Sequence, residues 1–337
     1  MSTMSSGWLI VAPYLLVSGW LVTNEQTWYH PSWRDPGKLG YMNLRLRMSD
    51  IIVSRALQAN SHALTMLTPG GCVCPSELLA NVWRVQAGWA FMRPLLGKRQ
   101  YRAAHARMRT HADELAHVMH PLDVLLTTLG VSASGKKRSR ACLRMAQSLQ
   151  PGAPHLDVAA AGEALRADSD AWLQLVIPTD ASDEELIRAG CVRWYKKGRN
   201  LSRDAGWRHG RRWSRWVRCT AGQLELIECE LSEGGGLRTK GMLRMAARLE
   251  RHVYLMEVAA VLDDVALGKK DRRRVHGVIT AELRHNWSRV QRLAASVYED
   301  RPRVFFEEVC AAARCLGQAE VLLLNEHERE QEREISG

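Results

Sequence analysis

From Met42 onward, apolar residues recur at helical rather than strand spacing and are interrupted by short Gly- and Pro-bearing breaks. That pattern confines the chain to helix packed on helix. The breaks fall at Thr68-Pro69-Gly70-Gly71, Ser132-Ala133-Ser134-Gly135, Pro151-Gly152-Ala153-Pro154, Pro178-Thr179-Asp180 and Gly234-Gly235-Gly236. Between them the periodicity predicts helices over 43–66, 76–94, 98–118, 121–130, 137–149, 156–176, 182–203, 210–232, 236–265, 270–299 and 302–333. No segment alternates polar and apolar residues as a half-buried strand does. Long helices with short connections build bundles, so the expected fold is all-α.

Residues 1–41 stand apart. Trp8–Val22 is apolar but short for a membrane span and broken by Pro13, and no Lys or Arg precedes it as a signal peptide requires. These residues are expected to be an irregular appendage or a misassigned start, with a weak membrane anchor as the alternative. The expected division is then 42–176 as a first helical bundle, 177–317 as a second, and 318–337 as a C-terminal helix with a frayed tail. The gap from Arg84 to Val124 is close to that from Arg215 to Val258, as an internal duplication would leave.

Charge carries the functional argument. Between Ala189 and Cys219 ten Lys and Arg residues face one acid, and the whole chain has a formal net charge of +11. On a helix Arg208, Arg211, Arg215 and Arg218 share one face, while Trp213, Trp216 and Val217 turn away to be buried. Solvated helix faces usually alternate signs to form i,i+4 pairs. This stretch has almost no acids to pair with. A row of guanidiniums grips phosphate oxygens in a fork and suits a linear polyanion.

Catalytic and metal signatures are missing. There is no GxxxxGK[ST], HExxH or GxSxG, and Glu228-Cys-Glu230-Leu-Ser232 lacks the lysine of an ExExK motif. Cys72 and Cys74 lack CxxC spacing, and His117 with His120 has no further ligand at helical spacing. The scattered cysteines read as reduced thiols of a cytoplasmic protein. No enzyme, cofactor or metal is expected, and no integral membrane partner. His105, His111, His209 and His252 are read as solvated or anion-facing groups.

Three stretches carry a resemblance: RPLLGKRQYR (93–102) followed by HPLDVLLTTL (120–129); RWYKKGR (193–199) with RRWSRWVR (211–218); and HNWSRVQRLAASVYEDRPRVFF (285–306), with Tyr298, Pro302 and Phe305 in a Y-x-x-x-P-x-x-F turn. In order and spacing they resemble the CHAD domain, a histidine-named helical family. The resemblance implies two pseudo-symmetric four-helix bundles facing a shared basic groove that binds inorganic polyphosphate without catalysis, on polyphosphate granules in the cytoplasm. The name-giving histidines are replaced by Ser76 and Arg211. The implied ligand set is Arg84, Arg93, Lys98 and Arg99 from the first half. From the second it is Arg193, Lys196, Lys197, Arg199, Arg208, Arg211, Arg212, Arg215 and Arg218. The alternative is a nucleic-acid binder that adds base stacking on exposed Trp194 and Trp207 to the same cations, with GKKRSR (135–140) as a basic loop open to either ligand.

Overall fold

A computed structural model describes residues 22–23, 26–27, 47–68, 74–119, 121–149, 157–178, 182–204, 206, 209–227 and 235–316. Among these the fold is all-helical, apart from two two-residue strands, β1 (Val22–Thr23) and β2 (Gln26–Thr27), paired antiparallel. The rest of 1–41, and the tail 318–337, lie outside the described residues.

The helices begin and end where the punctuation predicts. They are α1 (Met48–Met66), α2 (Pro75–Phe91), α3 (Lys98–Met119), α4 (Leu122–Ser132), α5 (Lys136–Ser148) and α6 (Val158–Leu173). After α7 (Asp183–Leu186) the backbone widens into a π-helical turn over Ile187–Val192 and continues as α8 (Arg193–Asp204), so the single expected helix 182–203 is in fact three helical pieces. Then come α9 (Gly210–Ile227), α10 (Gly235–Val261), α11 (Lys269–Val297) and a last helix, α12, over 302–316. Pro75 opens α2, where a missing N–H costs nothing. The Asp157 carboxylate accepts from the Ala160 N–H at 3.0 Å and caps α6. GKKRSR is not a loop: Gly135, at φ 98°, turns the chain and Lys136 already starts α5.

The largest apolar cluster draws residues from Met48 to Leu316. At its centre α2 lies against α9, and a Cβ placed on Gly222 would stand 2.8 Å from the Ala87 Cβ. Only a hydrogen fits there. A second cluster packs α4 and α5 (Leu126, Leu129, Cys142, Met145) onto α10 and α11 (Leu255, Val258, Val275, Ile279). That contact carries a hairpin of the chain's first half onto the second.

A carboxylate is among the polar groups buried in the core. Asp168 of α6 is fully buried and accepts from the indole N–H of Trp89 at 3.0 and 3.1 Å and of Trp172 at 3.0 Å. The two rings stack at 3.8 Å, and Arg107 stands 3.7 Å from the carboxylate. Burial outweighs these partners and pushes the Asp168 carboxyl up to about 6. A folded-state value raised from 3.8 means stability that is fully present below about 4 and lost as pH rises through about 6. From this group, urea unfolding should show a loss of about 2–3 kcal/mol between pH 4 and pH 7. Asp168→Asn should flatten that slope. An unchanged slope in the variant would assign the effect elsewhere.

Candidate polyanion site

The expected row on α9 forms, but acids reach it from other helices. Arg218 donates to both oxygens of Glu250 on α10 at 3.0 and 2.7 Å, with its guanidinium 3.7 Å from the Trp83 ring centre. Arg211 pairs with Glu257 on α10, and Arg215 with Asp113 on α3 at 3.5 Å. The expectation of an acid-free row is therefore corrected. It holds along α9 and fails across the helices, because the compensating carboxylates stand far away in sequence. Arg84 is likewise held by Glu225 at 3.3 Å and Asn81 at 2.9 Å. Arg109, Arg211, Arg215 and Arg218, with Asp113, Glu250 and Glu257, line a pocket of about 130 Å³ together with Trp83 and Ser214. Replacing Arg218 by Ala should destabilise the fold by about 2 kcal/mol in urea unfolding, since a half-buried Glu250 then loses its partner. An unaltered midpoint would show the pair to be incidental.

Beside this pocket lies a cluster of different character. Arg93, just past α2, places its guanidinium 5.4 Å from the ring centre of Tyr101 on α3. One turn on, His105 lies 5.3 Å from Tyr101 and 6.1 Å from Trp194 of α8, its ring nearly parallel to the indole. Lys197 of α8 reaches over both Trp194 and Trp216, at 4.9 and 5.3 Å, and Arg212 of α9 covers Trp216 at 4.6 Å. Trp194 and Cys219 are buried beneath, against Ala90 of α2. The result is an aromatic floor roofed by cations from α2, α8 and α9.

No carboxylate among the described residues pairs with Arg93, Arg193, Lys197 or Arg212. Burial, and then the guanidiniums of Arg193, Arg93 and Arg212, lower the Lys197 ammonium's hold on its proton. Burial also pushes the Tyr101 phenol up to about 12. Like charges are crowded here without compensation, the condition in which an incoming polyanion relieves repulsion as well as gaining contacts.

Of the residues expected to bind, Arg93, Arg193, Lys197 and Arg212 are therefore brought together; Lys98, Arg99 and Lys196 are exposed. Arg199 serves structure instead, donating to the Tyr298 carbonyl at 3.2 Å. Arg208 and Trp207 lie outside the described residues, as do Cys72, the 228–234 stretch, His120 and the His117 side chain. His111 contacts Glu114 at 3.2 Å, and His252 is fully buried with its ring 5.0 Å from Trp287, so it adds nothing to the face. Sequence reasoning missed Tyr101, His105 and Arg109 as a group, although their i, i+4, i+8 spacing puts them on one face of α3. Among the described residues no three His, Cys, Asp or Glu side chains stand where they could share a metal ion. No helix there is long and apolar enough to cross a membrane.

In comparisons with known proteins, no protein-family model, no curated protein and no solved structure matches this chain.

Proposed function

We propose that this chain is a divergent CHAD-like protein that binds inorganic polyphosphate electrostatically and without catalysis. The observation that carries the reading is the roof of Arg93, Lys197 and Arg212, with Arg193 beside it, drawn from three parts of the fold and without carboxylate partners among the described residues. A linear chain of phosphates satisfies such a roof with charge alone. Nucleic acid is the less favoured ligand, because Lys197 and Arg212 already occupy the faces of Trp194 and Trp216 on which bases would stack.

Two pseudo-symmetric bundles are part of the proposal. In their support, α1, α2 and α3 are successive neighbours, α8, α9 and α10 likewise, and α2 meets α9 between them. The pocket walls are then α3 and α10, and the cation roof continues the same groove. In the cell the protein belongs in the cytoplasm, on polyphosphate granules.

Titration with long-chain polyphosphate tests the reading. With about four phosphates neutralised, and the counterion rule of single-stranded nucleic acid carried over, affinity should fall roughly 50-fold between 50 and 200 mM salt. Oligonucleotide should compete weakly and leave tryptophan emission little changed. Salt-independent binding, or tighter binding of oligonucleotide, overturns it.

A further inference from the structure

We propose that His105 is the proton acceptor of this site: a polyanion seated on Arg93, Lys197 and Arg212, beside Arg109 and Arg215, draws one proton from solvent onto the imidazole, so binding tightens as the solution is acidified. This rests on the polyanion reading above and adds to it a regulation by pH.

The imidazole is built into the cluster rather than attached to its edge. It is packed between Tyr101 and Trp194, and its nitrogens make no hydrogen bond among the described residues. The helices around it contribute mostly positive charge. Arg93 comes from the end of α2, Arg109 from the next turn of α3, Lys197 from α8 over Trp194, and Arg215 from α9. Among the described residues the carboxylate that meets these arginines, Asp113, is already engaged by Arg215 at 3.5 Å and faces Arg109 at 3.8 Å. Burial, followed by Arg109, Arg215 and Arg93, pushes His105 down to about 4, so the free protein carries it neutral across the physiological range.

Bound phosphates change the balance. Their charge cancels that of the three guanidiniums, and a phosphate oxygen supplies the acceptor that a ring N–H lacks in the free protein. The proton comes from water or buffer, and no covalent bond is made or broken. Because the bound state holds its proton to higher pH than the free state, affinity rises as pH falls through the bound-state value and levels off near pH 4. If the complex restores the ordinary imidazole value, affinity should be about 30-fold tighter at pH 5 than at pH 8.

The experiment uses the full chain, long-chain inorganic polyphosphate at constant ionic strength, and pH 8, 6.5 and 5. Long chains keep titrating end groups a small share of the ligand. Proton uptake is read in weakly buffered solution with an indicator dye. The parent should tighten about 30-fold, taking up about half a proton per site at pH 6.5 and close to one at pH 5. His105→Gln should still bind at pH 8 and keep that affinity unchanged down to pH 5, and His105→Asn serves the same purpose if the glutamine variant folds poorly. A parent that binds equally at all three values overturns the proton coupling while leaving polyphosphate binding intact. A variant that keeps the slope also overturns it, by placing the proton elsewhere. No binding by the parent at any pH removes both this inference and the reading beneath it.

Discussion

Replacing Arg93, Lys197 and Arg212 together by alanine should weaken polyphosphate binding about 100-fold while leaving the unfolding midpoint unchanged or slightly raised. The affinity loss follows from three charge-assisted contacts at roughly 1 kcal/mol each after solvent screening. The stability result follows from the absence of acid partners: nothing folded is left unpaired, and crowding around Lys197 is relieved. This combination separates binding groups from structural ones. Alanine at Arg211, Arg215 and Arg218 confounds the two, since each of those side chains holds a carboxylate of α10 or α3. Titration beside urea unfolding decides it. Parent-like affinity in the triple variant would remove the cluster from consideration, whatever happened to stability.

The second large effect is expected at a residue that touches no ligand. Gly198→Ala should destabilise the protein by about 3 kcal/mol, against the roughly 1 kcal/mol gain that helix propensity alone assigns to that change. A Cβ on Gly198 would stand 2.1 Å from the Tyr298 Oη and 2.8 Å from its Cζ, and Tyr298 is itself core. Tyr195 stacks on Phe305 at 3.9 Å and donates its hydroxyl proton to the Asp300 carbonyl at 3.0 Å, so the ring has no slack to yield. In a Tyr298→Phe background, where the nearest clashing atom is gone, the loss should shrink. A Gly198→Ala protein as stable as the parent in urea would mean that Tyr298 swings aside.

These contacts bear on how much was legible beforehand. Helix positions were, because Gly and Pro act locally and apolar spacing is a property of neighbours in the chain. The stretch RWYKKGR and the turn Tyr298–Pro302–Phe305 were legible as motifs, yet what they do was not. They meet each other: Gly198 and Arg199 grip Tyr298, and Tyr195 covers Phe305. The guanidinium row of α9 was legible as a row, but Glu250, Glu257 and Asp113 are remote in sequence, and no local pattern announces a pairing made by folding. The proposed site draws Arg93 from just past α2 and Arg212 from the start of α9, a juxtaposition created by where those helices cross.

That crossing has a mechanical consequence. Ala87 and Gly222 bring the two helices together with only the Ala87 methyl between them, leaving little room for one helix to slide past the other. The end of α2 and the start of α9, which carry Arg93 and Arg212, are thus braced against each other by a crossing with no room for a larger residue, and a bulkier side chain at position 222 should disturb the proposed cation cluster from a distance.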